Sequence, residues 1–222
     1  FAILSAGCVT IPVYPSYTPE QIAYIVNDSE SRTLIVENQD QLAKALAVRG
    51  KMDRLEQLVV IDGTAGQDPG ILTWEELRRR GRDAAGGFAP TLAQRLKETR
   101  ADDTASIVYT SGTTGPPKGV VQTHGNHMAT MRALGQIWQI REEDKDLLFL
   151  PLAHSFAQAE AYFGVYVGSA TAFAENLDKV GENLRETSPT FIASVPRVFE
   201  KVYARILTGV EAGSPIKKKI FY

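Results

Sequence analysis

A single cysteine among 222 residues, Cys8, excludes an internal disulfide framework and fits a reducing compartment. No basic segment precedes the apolar residues at the amino end, so no secretory signal is legible. Long hydrophobic runs are missing as well. The most apolar region, AYFGVYVGSATAFA (161–174), is too short for a membrane span and is broken by Gly, Ser and Thr. Charge of one sign is not in excess: 24 basic residues stand against 26 acidic ones, a net charge of −2, which argues against bulk nucleic acid as a partner. No run of like charges marks a tail, and the densest basic cluster, LRRRGR (77–82), reads as a solvated helix end. Asn-Asp-Ser at 27–29 matches a glycosylation acceptor, and in a chain of this cytosolic character it is expected to be unmodified.

What is present is ordinary α/β material, 44% hydrophobic and 23% charged, long enough to bury a substantial core. Strands are expected at 8–14, 32–37, 57–62, 105–110, 119–124, 146–152, 170–175 and 190–195. Between them fall helices at 18–28, 39–48, 73–81, 126–138, 156–167, 177–187 and from Pro196 to about Gly209. Thr18, Pro19 and Gln21 form a capping box with proline at the first helical position, and Gly81 is expected to close the helix that begins near Thr73. The alternation predicts an α/β fold, doubly wound, with mostly parallel sheets and helices on both faces. Residues 82–104 are poorer in apolar side chains and are expected to hold one or two helical turns. A subdomain join is placed there, with 1–100 as part of a first α/β subdomain and 101–222 as a hairpin and the start of a second. Phe1 stands inside an apolar helical pattern and KKKIFY (217–222) inside another, so the chain reads as a fragment.

The stretch YTSGTTGPPKGV (109–120) concentrates backbone donors and short hydroxyls with little side-chain bulk. It is not a Walker loop: Lys118 is followed by Gly119 rather than Ser or Thr, and VVQT after it favours a strand rather than a helix. Phosphate is still the ligand its chemistry suits. Gly112 and Gly115 permit the positive φ of an anion nest, and Thr110, Ser111, Thr113 and Thr114 add hydroxyl donors. Pro116 and Pro117 stiffen the exit, and Lys118 supplies a compact positive charge. On the residues alone, a plain Gly/Ser/Thr turn between two strands stays open as the alternative.

Two further positions stand out. His154, in FLPLAHSF (149–156), follows the carboxyl end of an expected strand, where open α/β sheets bind ligands; a capping or core histidine is the competing reading. Arg197, in SVPRVFEKVY (194–203), lies in a first helical turn, where the helix dipole disfavours a cation. Either an i,i+3 pair with Glu200 compensates or the arginine serves a site. His124 and His127 have no cysteine or carboxylate cluster beside them, and no metal ligand is assigned.

YTSGTTGPPKGV resembles the signature loop of the adenylate-forming enzymes, which include acyl-CoA synthetases, luciferases and peptide-synthetase adenylation domains. SVPRVFEKVY resembles the long-chain fatty acyl-CoA synthetase branch, and residues 6–38 resemble an early framework part of the large amino-terminal domain. The resemblance runs along nearly all of the chain and is weakest at 63–104. It implies a two-step ligase: a fatty carboxylate attacks the α-phosphate of ATP, and coenzyme A then displaces AMP. ATP, Mg²⁺ and coenzyme A are the small molecules so implied. Thr110 to Gly115 and Lys118 would hold the departing phosphates, His154 would border the reacting carboxyl group, and Arg197 is a weaker substrate-binding candidate. The family's Tyr-Gly-x-Thr-Glu segment, ribose aspartate, hinge and carboxyl-terminal domain are not found, so the chain alone is expected to be inactive. The rival readings are a fatty acyl-AMP ligase serving a carrier protein, and a non-catalytic nucleotide- or acyl-binding piece. The expected location is the cytoplasm, with peripheral membrane contact through the lipid substrate and the oligomeric state left open.

Overall fold

The computed structural model describes residues 1–110, 115–213 and 221. After a short helix α1 (Ala2–Ser5), the helix α2 (Pro19–Asp28) begins at the expected capping box. Thr18 Oγ1 accepts from the Gln21 N–H at 3.3 Å, and Gln21 Oε1 accepts from the Thr18 N–H at 2.9 Å. Then follow β1 (Thr33–Asn38), α3 (Gln39–Ala47), a 3-10 turn at Arg49–Lys51, β2 (Gln57–Asp62) and β3 (Ile71–Thr73). The three strands pair in parallel in the order β1-β2-β3. Leu58, Val59 and Val60 of the middle strand are all buried, so both its faces are covered. Leu58 and Val60 cluster with Val36, Leu42, Ala45 and Ile71, while α2 buries Ile22, Ala23 and Val26 against Val48 and Met52.

The next helix corrects the sequence reading. α4 (Trp74–Glu98) runs for 25 residues, straight through Gly81 and over the stretch expected to hold one or two turns. A glycine ends a helix by turning left-handed, and Gly81 is not among the glycines at positive φ. Local electrostatics carry the helix onward. Thr73 Oγ1 caps it by accepting from the Glu76 N–H at 3.2 Å, and Glu75 and Glu76 pair with Arg78, Arg79, Arg80 and Arg82. The basic cluster is therefore an exposed, ion-paired helix interior rather than a helix end.

β4 (Thr104–Thr110) and β5 (Lys118–Thr123) form an antiparallel hairpin, and α5 (His124–Ile137) follows at once. The strand expected at 8–14 shrinks to one parallel bridge, Thr10 to Ser106, on the free side of β4. Pro12 and Pro15 have no N–H to extend that ladder. These elements, with α5 as far as Leu134, belong to one compact unit, residues 1–134 with 151–159.

Residues 135–150 and 160–222 form a second unit. β6 (Lys145–Leu148) pairs in parallel with β7 (Ala170–Phe173), and Phe191 bridges to Asp146 on the other side. The strand expected at 190–195 is thus reduced to that bridge, and the one at 146–152 stops before Pro151. α6 (Ser155–Val167) starts among residues of the first unit and continues in the second, followed by α7 (Val180–Thr187) and α8 (Pro196–Glu211). Phe163 is buried and sets its ring edge-on to Trp138 at 5.7 Å. Two acids share this interior: Asp146 on β6 is 1% exposed and Glu160 on α6 is 6% exposed. No ion pair reaches either among the described residues, and their carboxyl oxygens find no hydrogen-bonding side chain outside the pair. Burial pushes the Asp146 carboxyl up, and burial followed by the Asp146 charge pushes Glu160 up to about 8. With parallel sheets at β1–β3 and β6–β7 and the antiparallel pair between them, the architecture is the mixed α/β fold that the alternation predicts.

Candidate functional site

The loop singled out in the sequence joins β4 to β5, and strand register fixes its two roots. Thr110 lies opposite Lys118, and Tyr109 opposite Gly119. Thr110 and Lys118 are both exposed and, as a cross-strand pair, share one face of the hairpin. Gly115 has φ +106°, in the region that favours glycine. Ser111, Gly112, Thr113 and Thr114 lie outside the described residues.

The opposite face of the hairpin root is packed. Tyr109 is 3% exposed, meets Tyr24 of α2 edge-on at 6.5 Å, and donates its hydroxyl proton to Asp28 Oδ2 at 2.6 Å. Burial, and then the adjacent Asp28 carboxylate, push the Tyr109 phenol well above its ordinary range, so it remains a donor. Gly119 lies beneath the same ring. A Cβ there would stand 2.9 Å from Ile107 Cγ2 and 3.1 Å from Tyr109 Cζ. The glycine of the Pro-Lys-Gly exit thus leaves room for Ile107 first and for the tyrosine ring second. Residues 6–38 read as framework in the sequence, yet Asp28 reaches the loop's root from there. Its one signal is local: a carboxylate closes α2 against the helix dipole, with no basic residue in the last turn. Neighbouring Asn27 is a structural clasp, donating to the Lys51 carbonyl at 2.6 Å and accepting from the Asp53 N–H at 3.1 Å.

Farther down β4, buried Ser106 donates to Gln122 Oε1 at 2.9 Å and lies 3.0 Å from His127 Nε2. The hydroxyl has one proton, so with Gln122 taking it, the serine accepts from the His127 N–H. Burial, with His124 nearby, holds the His127 imidazole below its usual range, which keeps it neutral. His127 thus fastens α5 to the hairpin.

His154 is exposed and stands at the N-cap of α6, where its carbonyl accepts from the Gln158 N–H at 3.2 Å. Its Nδ1 accepts from the Phe156 N–H at 3.2 Å. The capping role is therefore real, and it leaves the neutral ring with its proton on Nε2, a donor available to an oxygen ligand. His154 belongs to the same compact unit as the hairpin, whereas Arg197 belongs to the other. Arg197 is exposed in the first turn of α8, and among the described residues no ion pair joins it to Glu200, so the compensating pair that the spacing offered does not form. No group of three or more His, Cys, Asp or Glu side chains is placed to hold a metal among the described residues.

A parallel-sheeted α/β chain with a Gly/Thr-rich hairpin loop ending in an exposed lysine has the outline of a nucleotide-handling protein. The family profile described as AMP-binding enzyme matches residues 1–219, and the chain belongs to that family. It is 33% identical over 206 residues to the long-chain-fatty-acid–CoA ligase FadD15 of Mycobacterium bovis, covering 91% of this chain and 33% of that protein. It is 29% identical to the peroxisomal long chain acyl-CoA synthetase 7 of Arabidopsis thaliana, covering 96% of this chain and 30% of that one. The chain spans about a third of the length of these curated relatives. Among solved structures, a long-chain-fatty-acid-CoA ligase (FadD1) from Archaeoglobus fulgidus shares the fold with a TM-score of 0.69 at 23% identity, covering 93% of this chain and 39% of that one. No described helix is long and apolar enough to cross a membrane.

Proposed function

We propose that the whole protein is a long-chain fatty acid–CoA ligase of the AMP-forming kind. It would condense a fatty carboxylate with ATP to acyl-adenylate and pyrophosphate, then pass the acyl group to the coenzyme A thiol. The observation that carries this reading is the hairpin mouth, where Thr110 and Lys118 face solvent opposite one another at the ends of the glycine- and hydroxyl-rich loop. The names of the similar proteins support the acyl chemistry and the chain-length class.

Catalysis of this type rests on orientation and on charge stabilisation where negative charge gathers. The Lys118 ammonium and the Thr110 hydroxyl would hold the β- and γ-phosphates while the α-phosphate bond to pyrophosphate breaks, with Ser111 to Gly115 adding hydroxyls and N–H groups. His154 Nε2–H would donate to an oxygen of the reacting carboxyl or the adenylate, its ring held by the Nδ1 contact to the helix N-terminus. Arg197 is retained as a weaker substrate contact. Mg²⁺ would accompany ATP and screen its phosphates; among the described residues no cluster of three or more His, Cys, Asp or Glu side chains is placed to hold it.

The test is carboxylate-dependent ATP–pyrophosphate exchange by the full-length protein over acids of graded chain length, with coenzyme A and a carrier-protein thiol as alternative acceptors. Exchange strongest with long acids, and thioester formation on coenzyme A, is the expected result. No exchange with any acid from folded protein overturns the acyl-activation reading, and transfer only to the carrier redirects it. Lys118→Ala removes a charge-assisted hydrogen bond of about 1.5–3 kcal/mol and is expected to weaken ATP use roughly 10–150-fold.

A further inference from the structure

Resting on the phosphate-binding reading of the loop, we propose that Asp28 is a positioning residue for it, acting through Tyr109 as a strut that fixes both roots of the hairpin mouth. Tyr109 is the last buried residue of β4 and directly precedes Thr110; Gly119 directly follows Lys118. One aromatic ring therefore bears on both sides of the mouth. On one side the 2.6 Å hydrogen bond to Asp28 holds the ring, and on the other Gly119 lies close enough that a Cβ would crowd it, 3.1 Å from Cζ, as well as Ile107. Thr110 and Lys118, one residue farther along each strand, inherit that placement, so their separation is set before a ligand arrives.

The place of Asp28 argues that the bond serves more than packing. The carboxylate ends α2, where unpaired carbonyls already concentrate negative charge and no basic residue of the last turn relieves it. It is more than a third exposed, so it adds nothing to the apolar core. The partner it does have is the hydroxyl of the residue that precedes the loop, 81 positions away in the chain.

In the full-length protein, the two half-reactions separate positioning from general stability. The phosphate loop acts while ATP is being opened, whereas thioester formation from supplied acyl-adenylate needs no pyrophosphate. Tyr109→Phe removes the donor and Asp28→Ala the acceptor; each is expected to raise KM for ATP in the exchange assay roughly 3–10-fold. Thioester formation from preformed acyl-adenylate is expected to stay within about twofold. The double variant should be no worse than the poorer single one, and Asp28→Asn, which keeps an acceptor, should recover most of the loss. Equal losses in both half-reactions would reduce the contact to packing and overturn the inference. An unchanged KM in Tyr109→Phe beside a raised one in Lys118→Ala would overturn it while leaving the loop a phosphate site. An unchanged KM in Lys118→Ala as well would remove the phosphate reading and the inference together.

Discussion

β2 and β6 occupy the same kind of position, but β6 carries an acid among its buried residues Asp146, Leu147 and Leu148. Each is flanked on both sides by parallel partners, β2 by β1 and β3, and β6 by β7 and the bridge at Phe191. β2 presents Leu58, Val59 and Val60, buried to within 1% exposure. β6 presents Asp146 ahead of Leu147, with Glu160 from α6 beside it and no cation for either acid among the described residues. The comparison separates two ways of filling an interior. Apolar side chains hold a strand by leaving water, an effect indifferent to proton concentration. Leu147 and Leu148 do the same for β6, and the buried carboxyl pair beside them is tolerated only while protons keep it from ionising fully.

The largest expected effect is on the apolar side. Leu58→Ala should cost about 2–5 kcal/mol in denaturant unfolding, by the same amount at pH 5 and pH 9. A cost that changed with pH would erase the contrast. On the acidic side, burial raises the Glu160 carboxyl to about 8 in the fold, above its ordinary value of 4.5. The stabilising contribution of the neutral pair is therefore fully present below pH 4.5 and is lost as pH rises through about 8. Glu160→Gln should flatten that fall, raising stability at pH 9 by at least ~1.4 kcal/mol, the equivalent of one pKa unit, with little change at pH 5. A variant that follows the native pH curve would place the titrating group elsewhere. The smallest effect separates charge from burial. Arg79 on α4 is exposed and pairs with half-buried Glu76 at 2.9 Å and exposed Asp83 at 2.8 Å. Arg79→Ala should leave the unfolding midpoint unchanged within error at moderate salt.

Much of this framework was legible because its signals are local. Thr18 and Gln21 stand three apart and cap each other, and the apolar runs of β1 and β2 need only their own residues to be recognised. The misses depend on what a residue meets in space or on the conformation it adopts. Gly81 looks like a stop until its φ is known, and β3, from Ile71 to Thr73, is too short for periodicity to register. The strand expected at 8–14 failed because Pro12 within it and Pro15 just after it lack N–H donors, a local cue that the apolar run outweighed. At the candidate site, the loop announced itself through composition, with Lys118 and Thr110 at its ends. Asp28 could not, since its partner lies 81 residues away, and Gly119 read as part of a phosphate motif although its neighbour is a tyrosine ring.

α4 has one more consequence, for anyone who wishes to cut or splice this chain. It has no buried residue, and its second half places Gly86, Gly87 and Pro90 within five positions. Each glycine weakens a helix by about 1 kcal/mol relative to alanine, and the proline removes one backbone bond outright. The ion pairs of Glu75 and Glu76 lie a full turn or more upstream, so they secure the first half alone. Within α4 the backbone around Gly87 is therefore the easiest to open, and no side chain of the β1–β3 core leaves its place when it does. A protease should nick α4 there before its first half, and an inserted tag should be tolerated better there than in that half.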